Sequence, residues 1–114
     1  MLHSQRRVSE HTVLQRLQQL AEVYRQDQAS ELMTRTLEKL FLYEAETCHE
    51  QLQQLHSDLA QYEHRYGMSS DTFYGRFEQG ETDDRMDYVE WASLVQMAQR
   101  LEKRLSLLTK KEIA

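Results

Sequence analysis

The sequence predicts a mainly α protein built from four helices, and three observations carry that expectation. Proline is absent from all 114 residues, the three glycines Gly67, Gly75 and Gly80 fall within one short window, and apolar residues recur at intervals of three and four on both sides of it. Nothing between residues 9 and 66 therefore obliges a helix to break. Gln, Leu, Glu, Arg and Ala dominate both flanks, and these residues lose little side-chain freedom in a helix.

Residues 9 to 26 form the first expected helix, because Val13, Leu14, Leu17, Leu20, Ala21 and Tyr24 make one apolar stripe. Ser9 is placed to cap it, with Val8 and Val13 as a hydrophobic staple. The polar stretch QDQAS interrupts the stripe, and Ser30 offers a fresh cap before Glu31, whose charge suits a helix N-terminus.

A second helix is expected from residue 30 to Tyr66. Its apolar positions Leu37, Phe41, Ala45, Cys48, Leu52, Leu55, Leu59, Tyr62 and Tyr66 are spaced 4, 4, 3, 4, 3, 4, 3, 4, the rhythm of a coiled-coil seam. As one helix it would be about 55 Å long, beyond the diameter of a compact domain of this size, so something must cover it. Residues 68 to 79 make a short third helix, with Ser69 as cap, Met68 and Phe73 as staple, Gly80 just past its end, and Phe73, Tyr74 and Phe77 turned to the core. Thr82 is the expected cap of the last helix, with Asp83 and Asp84 near its positive end. The stripe Trp91, Leu94, Ala98, Leu101, Leu105, Leu108 supplies a second seam. Two seams can face each other, so an antiparallel C-terminal helical hairpin with the glycine window as its corner is the simplest arrangement.

Composition narrows the function classes. There are 14 basic and 19 acidic residues, a formal charge of -5, with 39% apolar residues and a mean hydropathy of -0.79. No apolar run approaches the roughly 20 residues of a bilayer span, and the opening MLHSQRRVSE lacks an apolar signal stretch, so a cytoplasmic protein without membrane contact is expected. The single Cys48 cannot form an internal disulfide, and at a seam position it reads as a small core residue. Charge is uneven. Residues 1 to 40 hold six basic against five acidic residues, a net of +1, and residues 41 to 114 hold eight against fourteen, a net of -6. The front tolerates phosphate and the rest repels it.

The stretch VSEHTVLQRLQQLAEVYRQDQASELMTRTLEKLF, a short helix, a polar turn and Ser-Glu-Leu opening a second helix, resembles the two helices of the ribbon-helix-helix family. That likeness covers about a third of the chain. It implies a homodimer whose N-terminal strands pair into a ribbon in the DNA major groove, with a phosphate held at the start of the second helix. Carried over, Ser30 and Glu31 match the phosphate-holding turn, and Leu17, Leu20, Leu32 and Leu37 match the dimer core, which the long seam extends through Phe41, Leu52, Leu55 and Leu59. In MLHSQRRV an alternating strand places Leu2, Ser4, Arg6 and Val8 on one face, so the ribbon is degenerate. His3, Gln5 and Arg7 would form the base-reading face, Arg7 and Gln5 suiting guanine and adenine edges, with Arg6 as a further DNA contact.

The stretch YEHRYGMSSDTFYGRFEQGETDDRMDYVEWASL is similar to the tail of small bacterial antitoxin-like proteins, in which a long helix ends in Tyr-Gly-Met-Ser and a Phe-Glu-x-Gly-Glu segment precedes Asp-Tyr-x-Glu-Trp. The resemblance implies a protein that neutralises a small toxin by binding it, with any promoter binding by the dimeric front end being autoregulatory.

The residues offer competing chemistries. Glu78, Glu81, Asp83, Asp84, Asp87 and Glu90 form an acidic stretch. With Tyr88 and Trp91 as aromatic anchors, Glu78, Glu81, Asp84 and Asp87 compose a surface for a small basic toxin, in which aromatic burial gives affinity and carboxylates steer approach. Asp83, Asp87 and Glu90, at i, i+4 and i+7, would alternatively hold magnesium for a nucleotide pyrophosphohydrolase, although no second set of glutamates accompanies them. His49, His56 and Glu63 repeat every seven residues, so neighbours stand about 10 Å apart along the axis, too far to share one ion within one chain. No nucleophilic triad, phosphate-cradling glycine loop or paired-cysteine motif is visible. The reading is a non-enzymatic antitoxin-like homodimer with no metal or cofactor. It has a dimerisation region at 1–40, a connecting helix at 41–66 and a partner-binding region at 67–114. A structural helical adaptor without DNA is the alternative, and the magnesium enzyme ranks third.

Overall fold

The computed structural model describes the backbone of residues 2–110 and the side chains of residues 10–110. It is mainly helical: α1 spans Leu2–Arg25, α2 Glu31–Tyr66, α3 Ser70–Glu78 and α4 Met86–Thr109, with no strand among the described residues. The ribbon strand expected in MLHSQRRV is not found over the described residues 2 to 8, where α1 is already helical from Leu2. Ser9 lies inside that helix rather than at its cap. Arg6 and Arg7 are good helix formers and no proline or glycine interrupts the run, so local preference favours extending the helix backwards over an unpaired strand. The side chains of Gln5, Arg6, Arg7 and Val8 lie outside the described residues.

The chain divides into two compact units, Met1–Lys39 and Leu40–Ala114. In the first, α1 ends where the amides of Asp27 and Gln28 turn back to the carbonyls of Tyr24 and Val23, at 3.1 and 2.9 Å. Asp27 takes the left-handed conformation that this closure needs, at φ 58°. Ser30 then caps α2 as expected, its Oγ accepting from the Met33 amide at 3.2 Å. Glu31 pairs with Arg35 one turn on, and the hydroxyls of Tyr24 and Thr34 share a hydrogen bond of 2.8 Å.

The second unit contains the core. Residues 40–66 belong to this unit with α3 and α4. After Tyr66, Gly67 at φ 65° turns the chain, and Ser69 caps α3 by accepting from the Thr72 amide at 3.1 Å. At the other end the amides of Gly80 and Glu81 return to Phe77 and Arg76, with Gly80 at φ 72°. Both ends of the short helix match the sequence expectation.

The start of α4 does not. It begins at Met86, with Arg85 in the cap position and no side-chain cap. Thr82 is not its cap, because Asp83 instead accepts from the Arg85 amide at 3.1 Å and forks its guanidinium at 2.9 and 2.8 Å, closing a local turn that precedes the helix.

Leu52, Leu55, Leu59, Phe73, Trp91, Ala92, Val95 and Ala98 are buried together. Partners on α2 advance from Glu44 through Cys48 and Tyr62 to Tyr66 while those on α4 retreat from Arg104 through Leu101 and Glu90 to Asp87, so the two helices run antiparallel. Leu52, Leu55 and Leu59, assigned from the sequence to a dimer core, are thus covered by their own chain. Cys48 is a core residue as expected, its thiol donating to the Leu101 carbonyl at 3.1 Å.

Candidate protein-binding surface

The centre of the second unit is an aromatic stack. Phe73 lies parallel to Trp91 with ring centroids 3.9 Å apart, Tyr62 and Tyr66 stack nearby at 5.7 and 5.8 Å, and Tyr88 leans on Phe73 at 5.3 Å. Trp91 is fully enclosed, and its indole N–H donates to Ser70 Oγ at 2.9 Å. The Ser70 amide donates in turn to the Glu63 carboxylate at 2.8 Å. Buried polar groups need partners of this kind, and no buried side-chain nitrogen or oxygen among the described residues lacks one.

This arrangement corrects the expected partner surface. Trp91, offered as an exposed anchor, has no surface to offer, because the same stripe that suggested a seam turns the indole inward. Tyr88 is half-buried against the core. Asp87 is engaged: its Oδ2 accepts from the Tyr66 hydroxyl at 2.6 Å and from the Arg65 guanidinium at 2.8 Å. Those two donors hold its carboxyl below the ordinary range, Tyr66 contributing most. The phenol of Tyr66 is raised by the same bond. Glu90 accepts from Tyr62 at 2.8 Å and raises that phenol likewise. Asp83 is held at about 2, chiefly by the Arg85 side chain and then by its amide. Arg85 lies 4.5 Å from the Tyr88 ring centroid, in cation-π range.

Asp83, Asp87 and Glu90 therefore do not line one helical face. Asp83 precedes α4, and each of the three carboxylates is committed to its own donor. Among the described residues no group of three or more His, Cys, Asp or Glu is arranged to hold a metal ion. His49 and His56 are exposed, and Glu63 is spent on the Ser70 amide.

Three acids remain. Glu78, Glu81 and Asp84 are exposed, and their carboxylates make no hydrogen bond or ion pair among the described residues. Glu78 ends α3, and the loop that carries Glu81 and Asp84 leads into α4, whose outer face exposes Met86 (68%), Val89 (45%) and Met97 (43%). Met86, Val89, Ser93 and Met97 are spaced 3, 4, 4, a stripe of their own, with Trp91 about 140° around the helix from Met86. That second rhythm was available in the sequence but was masked by the stronger Trp91 stripe. Met97 also borders an open cleft of about 530 Å³, floored by Leu55, Leu94 and Leu101 with Asp58 and Arg100 at its edge.

The residues carried over for DNA contact are occupied or undescribed. Ser30 uses its oxygen on its own helix and Glu31 faces Arg35. Of the remaining expected dimer residues, Leu17, Leu32 and Phe41 are exposed, and Leu20 and Leu37 are half-buried. No helix among the described residues is long and apolar enough to cross a membrane. No family model, characterised protein or solved structure matches the chain.

Proposed function

We propose that the protein acts by binding a basic polypeptide, and that this binding is neutralising, as the antitoxin-like tail motif implies. One observation supports the reading above the others: exposed Met86, Val89 and Met97 line the outer face of α4 directly after the end of α3 and a loop that together bear three uncommitted carboxylates, Glu78, Glu81 and Asp84. Flexible methionines fit irregular partner surfaces, and unpaired acids draw in a cation-rich one. The net charge of -6 over residues 41 to 114 acts in the same direction. Met86, Val89 and Met97 take the anchoring role given earlier to Tyr88 and Trp91, so the chemistry of the proposal is retained while its anchors move to the opposite face of the helix. Catalysis has no part in this reading; occlusion of the partner's working surface does.

The test is co-expression with the product of an adjacent reading frame encoding a small basic protein. The expected result is a complex that survives purification, restores growth, and is lost when Met86→Glu is combined with Val89→Glu. Glu81→Lys with Asp84→Lys should weaken it in a salt-dependent manner. A complex indifferent to both pairs of substitutions would remove this face from consideration, and absence of any complex would remove the reading.

A further inference from the structure

The antiparallel helices α2 and α4 leave a groove on each side of their contact. One is entered by α3, whose Ser70 and Asp71 line it together with Val95 and Ala98. The other has no residue of α3 in it. It is the cleft of about 530 Å³ floored by Leu55, Leu94 and Leu101. A second cleft, of about 260 Å³ and lined by Gln61, Tyr62 and Arg65, shares Asp58 and Leu94 with the first, so the two form one groove. Its α2 wall runs from Gln51 to Arg65, about 21 Å or four helical turns. Met97 joins its α4 rim to the outer stripe of Met86 and Val89.

Backbone chemistry selects the conformation of a guest. Both walls are helices whose amides and carbonyls are spent internally, so the groove offers no edge on which an extended segment could pair. A guest must satisfy its own backbone, and a helix does so. Charge selects the guest's composition and direction. Asp58 accepts from the Gln54 amide at 3.1 Å, and Glu90 holds the Tyr62 hydroxyl at one end of the groove. Neither acid has a cationic partner among the described residues, whereas Arg65 is neutralised by Asp87. Arg100, at the other end, has no acidic partner among them. The groove is thus negative from its middle to the Tyr62 end and positive at the Arg100 end. A helix is positive at its N-terminus and negative at its C-terminus. The complementary guest begins over Glu90, ends at Arg100, and therefore runs parallel to α4.

We infer that the basic partner proposed above, on which this step rests, docks by an amphipathic helix laid in the α2–α4 groove parallel to α4. Its apolar side chains sit on Leu55, Leu94 and Leu101, and a lysine or arginine faces Asp58.

The test uses the full chain co-purified with the product of the adjacent reading frame for a small basic protein. Gln61→Cys and Gln51→Cys, both exposed and about 15 Å apart along α2, are each labelled with benzophenone. Cys48 is enclosed and does not compete. On illumination both labels should attach to one segment of the partner, the Gln61 label about ten residues N-terminal to the Gln51 label. Ala60→Cys, two residues past Asp58 and about 160° around the helix, should attach to nothing. Asp58→Lys and Met97→Glu should each weaken the complex roughly tenfold with helical circular dichroism unchanged. Attachments in reverse order would overturn the inference, and so would a separation of about five residues, the spacing of an extended segment. Attachment to a second copy of the chain or to its own residues 1–39 would overturn it as well. A complex indifferent to Asp58→Lys and Met97→Glu but lost with Met86→Glu and Val89→Glu would overturn the groove alone and leave the proposed function standing. Absence of any complex would remove both.

Discussion

Replacing Ser70 by Ala removes one oxygen from the most enclosed part of the molecule. That oxygen is the acceptor for the indole N–H of Trp91 at 2.9 Å, and Trp91 has 0% exposure, so no solvent can stand in for it. Leaving a buried donor unsatisfied costs about 1–3 kcal/mol. The cap of α3 is not disturbed, since that role belongs to Ser69, and the Ser70 amide keeps its bond to Glu63. The expected loss is thus the orphaned indole alone, about 2 kcal/mol. With a urea slope of roughly 1 kcal/mol per molar for a small protein, the unfolding midpoint should fall by about 2 M. Trp91 is the single tryptophan, so its fluorescence follows the transition without a label. A double-mutant cycle with Trp91→Phe, followed by helical circular dichroism because the fluorophore is gone, should return a coupling of about 1 kcal/mol or more. A midpoint moved by less than a few tenths of a molar would refute the claim that the indole is sealed and depends on Ser70.

Asp27→Gly should stabilise the first unit by about 0.5 kcal/mol, because φ 58° strains an aspartate more than a glycine, offset in part by the freer unfolded chain; slower amide exchange in α1 would register it. Gly80→Ala should destabilise α3 by about 1 kcal/mol, and since a Cβ there meets nothing within 4 Å, Gly80→Asn should lose less, measurable by urea titration. Asp83 should titrate at about 2 by carboxyl-carbon NMR and return toward its ordinary 3.8 in Arg85→Gln. Its folded pKa is depressed, so the stability it contributes is present above the unfolded value and disappears as pH falls from near 4 to near 2; in Arg85→Gln, which keeps only the backbone amide bond, that portion of the acid transition should shrink.

The sequence carried most of the helical organisation because the signals there are local and redundant. Ser30 and Ser69 are caps followed by acidic first turns, Gly80 supplies the left-handed closure, and the absence of proline left residues 31 to 66 uninterrupted. Two boundaries failed, each for its own reason. Thr82 is an acceptable cap in isolation, but Asp83 finds a bidentate partner in Arg85, and that bond delays the helix by a few residues. At the front, a strand depends on a second strand that no local rule supplies, and Leu2–Arg25 is helical instead. The seam was legible as apolar rhythm, but not how far along it the cover reaches: Leu52, Leu55 and Leu59 are buried with α4, whereas Phe41 remains open. Periodicity states that a face needs covering and says nothing about whether the same chain provides the cover.

The acidic stretch is where sequence and structure diverge in a way that bears on function. Six carboxylates between Glu78 and Glu90 look equivalent as letters, but donors within reach sort them. Asp83 and Asp87 are neutralised by Arg85 and Arg65, and a paired charge has a field that falls off faster than that of a lone one. Glu90 accepts from an uncharged phenol and has no cationic partner among the described residues. The field that would steer a basic partner therefore arises from Glu78, Glu81, Asp84 and Glu90, on or next to the exposed Met86 and Val89. Steering acts on the rate of encounter and is screened by salt, whereas apolar contact acts on the lifetime of the complex. Folding uses the arginine-paired acids and the inner aromatic face of α4, which leaves the uncompensated acids and the outer methionine face for recognition.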